Sequence, residues 1–364
     1  LKNKIKVAII GSRGYPYVYS GYETLVKELS ERLVKKGHHV RVYCHKPLFK
    51  KKPRYINGVE LVYIPSIETK LLSQFVNSFL SFIHVCFSKI DIVFVVNTAN
   101  GPFGMITKIF KKKTFVNVDG IEWLRPKWKG IGSLYYKIST KLSILFFDCI
   151  ITDSIEMQNL YKKKYKINSI NIAYGPTMIK YFDDDFSKKM NLKKNNYYLI
   201  VGRLIPDNNS LLIIESFLKA NSSKKLVIVG DVPYKDKYSE KVKSIINKKI
   251  IKLGYVKCQK KLSYLYKNCF CYVHGHEYGG TNPTMINALD FNCNIIALNT
   301  IFNREMLAEK CSLFFDKNEN SIKRKINQLE KDYFKIALKN ENYKLPERYD
   351  WKKICNKYLK TFRS

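Results

Sequence analysis

Lys6-Val7-Ala8-Ile9-Ile10-Gly11-Ser12-Arg13-Gly14 is the stretch on which the fold turns. Val7 to Ile10 is an apolar run that stops at a glycine; it is too short for the core of a signal peptide and reads as a buried strand. Beyond the loop, Ser20-Gly21-Tyr22-Glu23 opens a helical pattern. Leu25, Val26, Leu29, Leu33 and Val34 recur at helical spacing from Glu23 to Lys35, and Lys36-Gly37 ends it. Strand, glycine turn and helix together are the unit of a parallel sheet covered by helices.

The unit recurs along the whole chain. Apolar runs predict strands over 6–10, 40–43, 59–63, 92–96, 114–118 and 149–152, then over 198–201, 225–229, 250–253, 271–273 and 294–297. The expectation is an α/β protein with two tandem Rossmann-like, doubly wound domains. The first spans residues 1–178, the second 196–349, and a last helix covers 350–364. Residues 179–195, with Asp183-Asp184-Asp185 and a Lys/Asn-rich run, have the polar turn chemistry of a linker.

Bulk properties agree with two cores. A chain of 364 residues, 46% hydrophobic and 14% aromatic, is too long for one ordinary core and too apolar for extended disorder. Lys and Arg number 65 against 30 Asp and Glu, so the net charge is +35 and the expected partner is anionic: nucleic acid, lipid head groups or a phosphorylated substrate. No arginine-rich arm or nucleic-acid-binding motif accompanies that charge, which argues against nucleic acid, and part of the excess fits a general Lys/Asn bias. The nine cysteines form no C-x-x-C pair and no His/Cys cluster at zinc spacing, so reduced thiols in a cytoplasmic protein are expected. The stretch 71–87 is interrupted by Ser73, Gln74, Asn77, Ser78, Ser81 and His84; it fails as a membrane span and reads as a surface helix able to touch a bilayer. Phe75, Phe79 and Phe82 on it are either lipid-facing or core.

Open sheets of this kind bind ligands at the carboxyl ends of their strands, so the loops there are the candidates. Gly11-Ser12-Arg13-Gly14 lets a ligand approach the backbone, although its spacing is not the dinucleotide fingerprint and a plain turn would look the same. Val201-Gly202-Arg203 puts a guanidinium at a strand end, where it can make paired hydrogen bonds to a diphosphate. His274-Gly275-His276-Glu277-Tyr278-Gly279-Gly280-Thr281-Asn282-Pro283 runs into a helix at Thr284, which makes an anion cradle. His274 and His276 share a face, yet Glu277 alone offers a further ligand, so no metal is expected.

Taken together, these segments resemble a known family. Gly11-Ser12-Arg13-Gly14, the run from Asn117 to Trp123, Val201-Gly202-Arg203-Leu204 with Pro206-Asp207-Asn208-Asn209, Ile228 to Tyr234, the His274–Pro283 loop and Phe302-Asn303-Arg304-Glu305 are similar to the rhamnosyltransferase-like, DUF1972-containing branch of the family 4 retaining glycosyltransferases. The resemblance covers essentially the whole chain. It implies the GT-B fold, with a donor cleft between the two domains and the helix opened by Tyr349-Asp350-Trp351 crossing back to the first domain. It also implies a nucleotide-diphosphate sugar as substrate, with no cofactor or metal. The implied product is a bacterial capsule or O-antigen glycan, built on a polyprenyl-diphosphate-linked acceptor at the inner face of the cytoplasmic membrane. L-rhamnose from dTDP-L-rhamnose is the donor the branch suggests.

Residue by residue, the resemblance makes Arg203 the holder of the donor diphosphate and Asp119 the group that aligns donor or acceptor, in the place where many relatives carry histidine. The alternative role of Asp119 is to cap the Gly120 turn. Gly14, Gly202, Asn208, Asn209 and Gly230 join the donor site, as do His276, Glu277, Gly279, Gly280, Thr281, Asn282 and Asn287. Arg13, Tyr22, Glu122 and Trp123 fall on the acceptor side. Two departures stand out. Relatives carry two glutamates with seven residues between them, where this chain has Gly279 and Asn287; and the lysine common after the arginine is Asn208, as in this branch. Asn287 keeps an amide for the ribose but no charge. The missing glutamates leave a silent nucleotide- or glycan-binding relative as the alternative. Asp183-x-Asp185 lies in the polar linker and reads as solvated rather than metal-binding.

Overall fold

A computed structural model describes residues 4–16, 21–67, 72–126, 128, 130–181, 192–232 and 235–364. The chain divides into two compact units, residues 1–175 with 348–364, and residues 176–347. Most of the linker expected at 179–195, with the Asp183-x-Asp185 pair, lies outside the described residues.

The sheet of unit 1 contains β1 (Lys6–Ile10), β2 (His39–His45), β3 (Tyr55–Ile56), β4 (Val59–Ile64), β5 (Ile92–Val96), β6 (Lys113–Val118), β7 (Cys149–Thr152) and β8 (Ile170–Asn171). Their spatial order is β3-β4-β2-β1-β5-β6-β7-β8, parallel throughout except for the β3–β4 hairpin. The chain winds outwards from β1 one way and from β5 the other, so the switch point falls between these two strands. Val7 to Ile10 and Val93 to Val96 have no exposed surface, which is why both strands read as unbroken apolar runs. The hairpin was not expected from the sequence. Its strands are two and six residues long, joined by Asn57-Gly58 with φ of 51° and 77°, the positive angles a two-residue turn demands.

Unit 2 contains β9 (Tyr197–Val201), β10 (Lys225–Val229), β11 (Ile250–Gly254), β12 (Cys271–His274), β13 (Ile295–Leu298) and β14 (Leu313–Phe315). All are parallel, in the order β11-β10-β9-β12-β13-β14, and the switch point lies between β9 and β12. Ile213, Ile214 and Phe217 cover one face of this sheet, and Ile322, Ile326 and Leu329 from the helix Glu319–Lys339 pack into the same core.

The last helix, Trp351–Arg363, belongs to unit 1. Asp350 caps it by accepting the Lys353 N–H at 2.9 Å. Tyr358 and Phe362 pack on Phe94 of β5, at 5.4 and 5.6 Å between ring centroids, and Phe362 also meets Phe115 of β6. Aromatic burial of this kind, not chain continuity, assigns the segment to the first sheet. The helix expected over 71–87 spans Leu72–Cys86; Phe82 is fully buried, whereas Phe75 and Phe79 are partly exposed.

Candidate functional site

In unit 2, three loops at the carboxyl edge of the sheet come into backbone contact. Gly202, after β9, donates its N–H to Val229 O at 2.9 Å. Gly230, after β10, has φ +139°, and a Cβ there would lie 1.8 Å from Gly202 O. Gly275, after β12, is equally constrained, since its Cβ would stand 2.4 Å from Asn208 O. Glycine is a steric requirement at both positions.

These contacts frame Arg203. Asn208 Nδ2 donates to Arg203 O at 2.7 Å, while Asn208 Oδ1 accepts from His276 Nδ1 at 2.7 Å, which places the proton of His276 on Nδ1. The backbone of Arg203 is therefore clamped. Its guanidinium is half-buried, and no carboxylate among the described residues lies within ion-pair distance of it. Glu277 is the opposite case: it accepts from Asn209 Nδ2 at 2.7 Å and pairs with Lys317, so its charge is neutralised locally. Asn209 also donates to Gly275 O at 2.8 Å and ties the β9 and β12 loops together.

The helix Pro283–Asp290 starts beside this cluster. Asn282 caps it through Oδ1, which accepts the Thr284 N–H at 3.0 Å, and Pro283 occupies the first turn, where a missing N–H costs nothing. Gly279 has φ +147°, and Gly280 and Thr281 are buried. On the same helix Asn287 is buried, and its Oδ1 accepts the Thr177 N–H at 2.9 Å. The amide at this position therefore holds the chain that enters unit 2.

His274 was set aside in the sequence. It is 3% exposed, its Nδ1 lies 3.0 Å from the Tyr272 hydroxyl, and among the described residues its Nε2 has no hydrogen-bond partner. Burial lowers its pKa from 6.5 to about 3, so it is neutral at physiological pH. The Tyr272 hydroxyl also reaches Thr284 Oγ1 at 2.8 Å, linking His274 to the helix start. Lys317 was also missed, and Asn303, quoted within the Phe302–Glu305 segment, was given no role. Asn303 holds the loop by donating to His276 O at 3.1 Å and Leu298 O at 2.9 Å.

Unit 1 presents a different surface at its own switch point. Gly11 has φ +98°, and a Cβ there would meet Val96 O at 2.4 Å; Gly14 at φ +124° would meet Cys44 Sγ at 2.8 Å. Arg13 donates its N–H to Glu23 Oε1 at 3.2 Å. Asp119 follows β6, is half-buried and accepts a hydrogen bond from the Tyr22 hydroxyl. Burial first, then the negative charges of Asp119 and Glu122, push the Tyr22 pKa far up, which keeps it a neutral donor. Glu122 is buried against Arg125 at 3.0 Å and accepts from Trp128 Nε1 at 2.9 Å. Trp123 is buried too, with Lys164 Nζ 4.2 Å from its ring centroid. The structure thus brings Asp119, Tyr22 and Glu122 into one cluster, while Trp123 packs beneath Lys164.

Comparison with known proteins fits this architecture. Residues 4–177 match the model of a domain of unknown function, DUF1972, and residues 182–347 match that of the glycosyl transferases group 1. Among solved structures, a sucrose-phosphate synthase from Thermosynechococcus elongatus superposes with a TM-score of 0.80 at 15% identity, covering 99% of this chain and 98% of its own. Anabaena Alr3699/HepE in complex with UDP and glucose superposes with a TM-score of 0.76 at 14% identity, covering 99% of both chains. The fold is GT-B.

A curated relative is 27% identical over 172 residues: the N-acetylgalactosamine-N,N'-diacetylbacillosaminyl-diphospho-undecaprenol 4-alpha-N-acetylgalactosaminyltransferase of Campylobacter jejuni subsp. jejuni serotype O:2. The match spans 46% of each chain, about half the length of that relative. In the GT-B frame, the loops after β9, β10 and β12 belong to the unit that matches the glycosyl transferases group 1. Asp119 and Tyr22 belong to the DUF1972 match.

Proposed function

We propose that the chain is a retaining glycosyltransferase that takes a sugar from a nucleotide diphosphate and places it on a polyprenyl-diphosphate-linked glycan. The observation that carries this reading is Arg203: a guanidinium without a carboxylate partner among the described residues, on a backbone clamped by Asn208. A planar, permanently charged guanidinium beside a capped helix start is suited to a diphosphate. The group 1 glycosyl transferase match of unit 2 supports the reaction class, and the Campylobacter relative, named for a diphospho-undecaprenol acceptor, supports the acceptor class.

In the proposed reaction the acceptor hydroxyl oxygen bonds to the anomeric carbon from the face that the nucleotide leaves. The bond from that carbon to the β-phosphate oxygen breaks, and the departing phosphate takes the hydroxyl proton. Arg203 and the Pro283–Asp290 helix start stabilise the charge growing on the diphosphate, with no metal required. Asp119, oriented by the Tyr22 hydroxyl, aligns the reacting sugar. The finer parts of the proposal rest on the sequence resemblance alone: dTDP-L-rhamnose as donor, and capsule or O-antigen assembly as the setting.

A thermal-shift screen of nucleotide sugars in EDTA tests the donor site. At a concentration 100 times Kd a bound donor adds about 2.7 kcal/mol, a rise of about 5–10 °C for a unit of this size, and Arg203→Ala abolishes it. Absence of any response from folded wild-type protein would overturn the proposal. A donor response without turnover would favour the silent relative, a reading suggested by Asn287, whose oxygen is already engaged by Thr177.

A further inference from the structure

In unit 1 two buried polar atoms on neighbouring loops have no hydrogen-bond partner among the described residues. Both loops leave the switch point between β1 and β5, where an open sheet of this kind takes its ligands. Asn100, on the loop after β5, is 1% exposed. Its Nδ2 donates to Val96 O at 2.8 Å and to Asn97 O at 3.1 Å, and two carbonyl acceptors on that side identify it as the nitrogen. Oδ1 therefore points away from the β5 backbone, and among the described residues nothing donates to it. Ser12, on the loop after β1, is also 1% exposed, and its hydroxyl is the second unpaired atom. The two loops touch: a Cβ on Gly11 would stand 2.6 Å from Asn100 Nδ2. Buried polar atoms are nearly always paired, so two exceptions at one switch point mark a place where a ligand supplies the partners.

The loop that carries Asn100 is held from behind. Asn97, at φ +76°, accepts the Ala99 N–H through its side chain at 2.8 Å and donates its own N–H to Asn117 O at 3.1 Å, two residues before Asp119. From the helix Ile131–Phe146, Tyr135 donates to Ala99 O at 2.7 Å, and Ser139 and Ser143 donate to Thr98 O at 2.5 and 3.3 Å. These side chains fix the backbone of the two residues before Asn100, while its own oxygen stays uncommitted. An acceptor held in this way loses little conformational freedom when a ligand arrives.

The chemistry of the pair selects the ligand. A carboxamide oxygen only accepts, whereas a serine hydroxyl both donates and accepts. An ionised diphosphate or carboxylate has no proton for Asn100 Oδ1, which excludes the anionic part of a nucleotide sugar at this place. A hydroxyl has one, and its oxygen can accept from Ser12 in return. We infer that Ser12 and Asn100 form a sugar-hydroxyl subsite of unit 1, in which a carbohydrate hydroxyl donates to Asn100 Oδ1 and the Ser12 hydroxyl bonds the same or an adjacent sugar oxygen. The terminal sugar of the acceptor and the transferred sugar of the donor both present this chemistry. The inference rests on the glycosyltransferase reading, but it leaves the loops around Arg203 untouched, so binding of free nucleotide reports on that reading separately.

The test titrates the full chain by saturation-transfer NMR with methyl glycosides of several hexoses as acceptor probes, UDP- and dTDP-sugars as donor probes, and free UDP and dTDP as controls. Ser12→Ala deletes one buried, unpaired hydroxyl, so it should melt at or slightly above the wild-type temperature. Its sugar affinity should fall about five- to tenfold, the worth of one hydrogen bond, while free nucleotide binds as before. A loss confined to methyl glycosides assigns the subsite to the acceptor sugar, and a loss confined to nucleotide sugars assigns it to the transferred sugar. Wild-type protein gives a second reading without a variant: the monodeoxy analogue lacking the recognised hydroxyl should bind at least tenfold more weakly, and the same deoxygenation should cost less in Ser12→Ala. Unchanged affinity of Ser12→Ala for both classes of sugar probe would overturn the inference. So would a melting temperature several degrees below wild type, which would mean that Ser12 and Asn100 serve each other rather than a ligand. Methyl glycosides bound through Ser12 by a chain that binds no nucleotide would keep the subsite and remove the transferase reading.

Discussion

Replacing Gly230 with alanine probes the loop cluster that positions Arg203. At φ +139° a side chain is strained, and the new Cβ would lie 1.8 Å from Gly202 O and 2.7 Å from Gly202 C. Gly254, the last residue of β11, is the internal control: φ is +62°, and nothing lies within 4 Å of its Cβ position. Left-handed backbone strain alone costs about 1–2 kcal/mol, which is all that Gly254→Ala should lose. Gly230→Ala adds an overpacking cost of about 1–3 kcal/mol or more, because the obstructing atoms are the backbone of the adjacent strand end and cannot rotate away. The combined loss is about 2–5 kcal/mol, or about 4–20 °C in melting temperature, against about 2–8 °C for the control. Scanning calorimetry of the two variants reads the difference. The donor-induced shift should also vanish in Gly230→Ala and persist in Gly254→Ala, since only the former displaces Gly202 and hence Arg203. Equal melting temperatures would refute the argument that the two strand ends touch.

Three further outcomes are expected. His274, with a folded pKa of about 3 against 6.5 unfolded, is silent above pH 6.5; below it only the unfolded chain takes the proton. Stability therefore falls as the pH drops, by about 2–3 kcal/mol at pH 4.5 from this residue, and the loss should shrink in His274→Gln when urea midpoints are compared between pH 7 and 4.5; parallel slopes would contradict the burial argument. Asn209→Ala removes the donor that Gly275 O and Glu277 share, leaving Glu277 to Lys317 alone, and should cost about 1–3 kcal/mol in urea unfolding, whereas loss below a few tenths would mean the two loops are not tied by that amide. Asp350→Ala removes the cap of the last helix and should cost about 1 kcal/mol, with Asp350→Asn recovering most of it because it restores the acceptor; no recovery would assign the effect to charge rather than capping.

The strands at the centre of each sheet were legible because burial on both faces writes itself as an apolar run, as in Val7 to Ile10 and Leu226 to Val229. The edge strands β3, β8 and β14 were not, because two or three residues carry no period. For β3 the Asn57-Gly58 pair was a usable signal. The loops of the site were legible as glycines at strand ends, but the reasons for those glycines were not. Gly230 answers to Gly202, and Gly14 to Cys44, contacts that only the assembled sheets create. Commitment of charge was equally hidden: Glu277 is neutralised by Lys317, far along the chain, while Arg203 has no such partner among the described residues. Nor does periodicity say which side of an amphipathic helix faces in. Phe75, Phe79 and Phe82 lie on one helical stripe, yet only Phe82 is covered, by Phe103 and Phe147. Ser139 and Ser143 of the helix Ile131–Phe146 are inside, where both hydroxyls donate to Thr98 O, and a Cβ on Gly101 would lie 1.9 Å from Ser139 O.

The central claim is transfer of a sugar by a site built on Arg203. Its most direct test is mass spectrometry of a polyprenyl-diphosphate-linked oligosaccharide incubated with the full chain and each nucleotide sugar in EDTA, for wild type, Arg203→Ala and Asp119→Asn. The account predicts an acceptor heavier by one sugar residue with one donor, product reduced by a hundredfold or so in Arg203→Ala if that charge contact acts in the transition state, and the configuration of the donor retained. Unmodified acceptor with every donor, from protein that is folded and binds nucleotide, would contradict it.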